Sequence, residues 1–357
     1  MGSWKMTFRG SIWVFLLSIL VRIGFAQGEG NSIDGAALNG LASQWQNAPS
    51  NWVDFDPCGS KWLGVTCKKN RVISITLSSI GLEGTLSGGD IQNLSELRTL
   101  DLSYNSGLTG PLPASIGNLR HLEYFHFGVN QLSGSIPSKL FSPNMTLIHV
   151  LFEKNSINGS IPSTLGLVKS IEVLRLDRNS LTGPVPANLN SLTNLSEFHL
   201  AHNQLNGTLP DLTGMDSLSF VDMSNNSFDL SDVPQWFSSL PSLTSLYLEY
   251  LKIKGELPQA LFSSSSLQTL KLRDNQLNGT LDIGTNYSNQ LQLIDLTNND
   301  ISRITTISDG YNRTLILTGN PVCNQNTVRL YCNMTVSAPP LIQHITKMHH
   351  STPYLPK

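Results

Sequence analysis

Charge is what this sequence has least of. Only 13% of its 357 residues are Asp, Glu, Lys or Arg, about half the share in an ordinary soluble domain. The 23 Lys and Arg stand against 25 Asp and Glu, a formal net charge of −2. That balance lacks the basic field a nucleic-acid binder needs, and it offers no polybasic contact for an anionic membrane. Cysteine is also scarce, with four in all, and no CxxC spacing suggests zinc. One long apolar run occurs, at residues 11–21 (SIWVFLLSILV), too short for the roughly 20 residues of a membrane-spanning helix. It follows Lys5 and Arg9 and precedes Gly24-Phe25-Ala26, the pattern of a secretory signal peptide over residues 1–26, cleaved near Ala26. The remaining chain is apolar enough to bury a core, with 39% hydrophobic residues overall.

Leucine and asparagine are in excess, at 55 and 31 residues. Their spacing explains why. LRTLDLSYN ends at Asn105, YFHFGVN at Asn130, HVLFEKN at Asn155, VLRLDRN at Asn179 and FHLAHN at Asn203. VDMSNN ends at Asn226, LKLRDN at Asn275, LIDLTNN at Asn299 and LILTGN at Asn320. Two further copies, ISITLSSI and SLYLEYL, put Ile80 and Leu251 where the asparagine stands. A step of about 24 residues marks a repeat array, each unit of which can bury its leucines only against its neighbours. Alternation within L-x-L sends leucines inward and the intervening residues outward from a short strand. The asparagine amide serves turn groups that no sheet partner reaches. Glycines such as Gly134 and Gly159, and pairs such as Ile136-Pro137 and Ile161-Pro162, suit a bend and then an extended segment running into a helical turn.

Solenoid ends need caps. Asp34 is expected to N-cap a helix carrying Leu38, Leu41 and Trp45. Residues 51–67, with Cys58 and Cys67, would cover the first repeat, and Cys323 and Cys332 would close the last. Each pair lies nine residues apart, and export to an oxidising space favours two disulfides. The expected organisation is a signal peptide at 1–26, an N-terminal cap at 27–70, repeats over 71–320, a C-terminal cap at 321–333 and a disordered tail at 334–357. The fold class is an α/β repeat solenoid with a parallel inner sheet and 10–11 repeats. Ten Asn-x-Ser/Thr sequons are candidate glycosylation sites: Asn93, Asn144, Asn158, Asn194, Asn206, Asn225, Asn278, Asn286, Asn312 and Asn333.

The GxIP form of the repeat, together with the N-terminal NWVDFDPCGSKWLGVTC segment, resembles the extracellular domain of plant leucine-rich repeat receptor-like kinases. LDLSYNSGLTGPLPASIGNL resembles the subgroup whose repeats lead into a cysteine-containing region before the membrane. Two departures stand out. That subgroup leads one to expect more repeats between Leu122 and Tyr124, where these segments join directly. A cysteine-containing juxtamembrane region, a membrane span and the kinase signatures (Gly-rich loop, HRD, DFG) do not occur in these 357 residues. The chain therefore reads as truncated before the membrane span and kinase, or as a secreted short form; any membrane attachment would come through segments outside it.

The resemblance implies a ligand-recognition module on the inner face, binding a peptide or cell-wall-derived signal and pairing laterally with a co-receptor. Aromatic and arginine side chains dominate binding hot spots, which selects His126, Arg175, Arg178, His199, His202, Tyr247, Tyr250 and Arg273. The same positions must be filled in every repeat, so ordinary solvated residues are the competing explanation. A peptide's carboxylates are expected to meet Arg175, Arg178 or Arg273 through paired hydrogen bonds. His199 and His202 lack a third ligand in metal-binding spacing, and GxSxG and GxxxxGK[ST] are absent. Neither cofactor, metal nor catalysis is expected. The alternatives are a secreted inhibitor of microbial cell-wall hydrolases and a truncated product without function.

Overall fold

The computed structural model describes residues 29–86, 88–305, 314–325 and 328–333. The signal-peptide assignment, the tail and the sequon at Asn312 lie outside the described residues. A twelve-stranded sheet runs the length of the molecule. It opens with strand Val65–Lys68 antiparallel to Arg71–Thr76. From there each three-residue strand adds in parallel, repeat after repeat, as far as Thr314–Ile316. The central residue of each points inward; Leu100, Phe125, Val150, Leu174, Phe198, Val221, Leu246 and Leu270 are at most 1% exposed. Phe125, Phe127 and Phe152 replace leucines and pack edge to face, with centroids 4.7 and 4.8 Å apart, at distances aromatic pairs prefer. Pairing of Thr99 with Tyr124 and Leu100 with Phe125 crosses the Leu122–Tyr124 junction without a break.

The asparagines form the expected ladder. In Asn203, Oδ1 accepts from the Leu181 N–H at 3.0 Å, while Nδ2 donates to the carbonyls of Leu176 and Leu200 at 3.0 Å each. Asn155, Asn179, Asn226, Asn275, Asn299 and Asn320 repeat this arrangement, each amide oxygen capping one N–H of the preceding repeat. Those capped residues belong to a second set of strands on the flank of the solenoid. The flank divides into a seven-stranded and a four-stranded sheet, and the division falls in the repeat before Leu251, where the amide is missing. There the Ser227 and Asp229 N–H groups donate back to Leu205 and Gly207, and those of Ser231 and Val233 donate forward to Lys252 and Lys254. Leu251 itself is buried. Ile80 is not: it is 36% exposed, and Asn105 of the next repeat supplies the oxygen for the Ile80 N–H at 3.1 Å.

After the flank, Pro113, Pro137, Pro162, Pro186 and Pro234 each precede a one-turn 3-10 helix, their fixed φ suiting the helix entry.

The N-terminal cap departs from expectation in two respects. Asp34 lies within helix Glu29–Ala42 rather than at its start, and it is 1% exposed. Both its oxygens take Arg71, from Nε at 3.0 Å and Nη2 at 2.9 Å, and Oδ2 also accepts from the Val72 N–H at 2.8 Å. It is a tertiary clamp, tying the helix to the first parallel strand. Trp45 lies beyond the helix, in the short strand Trp45–Gln46, and packs on Trp52, which stacks on Trp62 at 5.1 Å. Cys58 bonds to Cys67, and Cys323 to Cys332. At the far end Leu317 N–H donates to the Tyr331 carbonyl at 2.8 Å, and Val322, within the cap, is fully buried.

Candidate functional site

The outward residues of the long sheet form parallel columns, one residue per repeat, because every repeat contributes its strand in the same register. The first strand position carries Thr99, Tyr124, His149, Val173, Glu197, Phe220 and Ser245; the third carries Asp101, His126, Leu151, Arg175, His199, Asp222 and Tyr247. Adjacent columns on a sheet are close enough for side chains to touch. Two connected groups result.

Toward the N-terminal cap, His126 stacks on His149 at 5.5 Å, and Tyr124 meets the His149 ring edge-on at 5.1 Å. Burial holds His149 below the usual imidazole range. The central group begins at Arg175, whose Nη2 donates to Glu197 Oε2 at 2.7 Å. His199 Nε2 lies 3.2 Å from the same oxygen. The His199 and Arg175 contacts overcome burial and hold the Glu197 carboxyl at about 2. His199 then stacks on Phe220 at 4.4 Å, Phe220 meets Tyr247 at 5.1 Å, and the Lys271 ammonium sits 4.6 Å from the Tyr247 ring centroid, within cation–π range. An unbroken chain of side chains crosses five strands.

The other predicted residues stand apart. Arg178, His202 and Tyr250 occupy left-handed backbone positions with φ of 55°, 55° and 56°, one per repeat, where the chain leaves the sheet. They form an exposed rim. Arg273 lies 5.4 Å from the Tyr250 ring and donates to Asp274 at 2.9 Å. Of the three arginines expected to meet ligand carboxylates, Arg175 and Arg273 are thus hydrogen-bonded to carboxylates of the chain itself, while Arg178 stays exposed, 4.0 Å from Asp177. Sequence reasoning missed Glu197 and Phe220, the two residues that connect the central group. They fill the register position that also gave Tyr124 and His149, so superposing the repeats at their 24-residue step reveals them.

Glu153 is the other residue whose state the sequence does not show. A Cβ on Gly128, in the neighbouring repeat, would collide with its carboxylate, so the carboxyl occupies space that any larger side chain would fill. Its Oε2 is shut off from solvent and has no hydrogen-bond partner, and the same holds for Arg175 Nε. Burial pushes the Glu153 carboxyl up to about 7, and burial likewise raises Asp177 in the next repeat. Among the described residues, no three His, Cys, Asp or Glu side chains converge as metal ligands, and no helix is long and apolar enough to cross a membrane.

Residues 80–305 match the leucine-rich repeat region model and residues 31–68 the leucine-rich repeat N-terminal domain model. The chain belongs to the leucine-rich repeat family. A probable leucine-rich repeat receptor-like protein kinase of Arabidopsis thaliana is 38% identical over 339 residues, covering 72% of this chain and 36% of that protein. The leucine-rich repeat chain thus spans about a third of the length of that relative. Among solved structures, the Arabidopsis receptor kinase HAESA, in complex with the peptide hormone IDA and the co-receptor SERK1, superposes with a TM-score of 0.61 at 27% identity, covering 80% of this chain and 57% of that one. A plant ice-binding protein shares the fold at 24% identity and a TM-score of 0.62, covering 81% of this chain and 87% of its own. The solenoid alone therefore does not decide function; the ectodomain reading rests on the receptor relatives and on what the concave face presents.

Proposed function

We propose that this chain is the extracellular recognition module of a receptor-like kinase, and that it binds an extended peptide across the concave face. The observation that carries the reading is the continuous run from Arg175 through Glu197, His199, Phe220 and Tyr247 to Lys271. It is prefolded, ring-rich and half-buried on an open sheet, the composition of a binding hot spot. A rigid surface of this kind orders little on binding, so its contacts translate efficiently into affinity. Pairing with a co-receptor, as in the HAESA complex, is part of the same proposal. The test is selection of a displayed random-peptide library on the purified chain, followed by the double variant Phe220→Ala/Tyr247→Ala. Selected peptides should bind the original chain and lose at least about tenfold in affinity on the variant, in line with the loss of two aromatic contacts. Peptides indifferent to both substitutions overturn the proposal. So does inhibition of a fungal polygalacturonase by a chain that selects no peptide.

A further inference from the structure

The concave face was expected to attract anions through its arginines, yet its charge leans the other way. Across the outward strand and turn positions from residue 99 to residue 250, six carboxylates (Asp101, Glu153, Asp177, Glu197, Asp222 and Glu249) face three permanent cations, Lys154, Arg175 and Arg178. Arg175 is already committed to Glu197. Glu153 has a buried oxygen with no donor to meet it. It lies against Gly128 of the preceding repeat, where the missing side chain leaves the carboxyl room.

We propose that the concave surface at the mouth of the Gly128 notch is a subsite for a cationic group of the ligand, an ammonium or guanidinium, received by Glu153 with Asp177 beside it. The inference rests on the reading of the concave face as the ligand surface, and it names the chemistry of the group that binds there. A cation supplies the donor that Glu153 Oε2 lacks, and a charged acceptor binds a charged donor more strongly than a neutral one. The Glu153 side chain swings out of the notch to make the contact, exchanging an unpartnered buried oxygen for a paired one.

The groups acting on Glu153 from its surroundings are Tyr104, two repeats back, Lys154 on its own turn, and Arg175 and Asp177 from the following repeat. His126, His149 and His199 stand on the same face. A cation must displace the Glu153 proton, so the site gains affinity as pH rises. With the free carboxyl at about 7, competition between one proton and the cation weakens binding about 30-fold from pH 8 to pH 5.5.

The probe is an acetylated, amidated octapeptide carrying three arginines, compared by calorimetry with its citrulline counterpart, which keeps the shape and removes the charge. The arginine peptide should bind the full chain more tightly than the citrulline peptide. Glu153→Gln should abolish that preference and most of the pH dependence. Circular dichroism and the melting temperature verify that the variant is folded. No measurable binding of the arginine peptide, or equal binding to the original chain and to Glu153→Gln, overturns the subsite. If peptides selected without regard to charge bind through Phe220 and Tyr247 while Glu153→Gln changes nothing, the subsite fails and the peptide-binding reading stands.

Discussion

Replacing Asn203 with alanine tests the ladder that holds the repeats together. The amide makes three hydrogen bonds of 3.0 Å, one accepted from Leu181 N–H and two donated to the Leu176 and Leu200 carbonyls. The losses are unequal. Asn179 also donates to the Leu176 carbonyl at 3.1 Å, and Asn226 to the Leu200 carbonyl at 3.1 Å, so each carbonyl keeps a partner. The Leu181 N–H loses its acceptor, and Leu181 is fully buried. An orphaned buried donor costs about 1–3 kcal/mol, and each lost bond to a still-satisfied carbonyl about 0.5–1 kcal/mol. The sum is about 3 kcal/mol, equivalent to a fall in melting temperature of roughly 5–10 °C for a chain of this size. Asn203→Asp should be at least as damaging, since a carboxylate accepts from Leu181 but faces two carbonyls it cannot donate to. Asn190, exposed on a 3-10 turn, is the control, and its alanine variant should melt within about 1 °C of the original, as for an ordinary surface change. Thermal unfolding followed by circular dichroism reads all three. An Asn203→Ala chain that melts with the control would show that the ladder contributes little, and that packing alone sets the repeat.

Three further perturbations follow from the caps and the concave face. Asp34→Asn leaves Arg71 without its buried counter-charge and should destabilise the chain by about 3 kcal/mol, the lower end for a broken buried pair because Arg71 keeps some contact with solvent, read as a lower urea midpoint. Replacing both Cys58 and Cys67 with serine removes a nine-residue closure and should cost roughly 2.5 kcal/mol, whereas an unchanged midpoint would mean that the Trp45, Trp52 and Trp62 stack holds the cap unaided. Glu197, held at about 2 by His199 and Arg175, lies below its unfolded value, so its stabilisation is present above about pH 4.5 and is lost as pH falls toward 2. Discounted for partial exposure, that contribution is about 2 kcal/mol, and Glu197→Gln should flatten the acid side of the stability profile.

Much of the fold was legible because the same positions recur in every repeat. Leu100, Leu174, Leu246 and Leu270 share one slot, and the asparagines share another, so a mistake at one copy is corrected by the rest. Where a feature occurs once, that redundancy is gone. Asp34 has the local look of a helix cap, yet its partner Arg71 lies 37 residues away and nothing in the intervening sequence points to it. Ile80 fills the ladder slot in sequence while Asn105 does the hydrogen bonding in space. Leu251 fills that slot too, but there the loss of the amide accompanies a break in the flank sheet, a cooperative effect no single repeat displays.

The site shows the same division between position and state. Outward positions follow from the period-two alternation, and His126, Arg175, His199 and Tyr247 all stand on the sheet. Their electrostatic state depends on neighbours about 24 residues away, which stacking brings within hydrogen-bond reach. Arg175 looks like a free anion clamp until Glu197 is placed across from it, and Glu153 looks like a solvated surface carboxylate until Gly128 is seen to leave it a place to fold into. The two carboxylates then oppose each other in titration. Glu197 loses stabilisation as the medium turns acidic, while Glu153, raised to about 7, costs stability as pH rises from about 4.5 through 7 because the folded chain holds its proton more tightly than the unfolded one. Glu153→Gln should therefore gain on the original chain as pH rises from 5 to 8, by about 1–2 kcal/mol, measured as a difference in urea midpoint at the two pH values. A constant difference across that range would mean that the carboxyl leaves the Gly128 notch for solvent in the free chain, and would remove the physical basis for proton-linked recognition on this face.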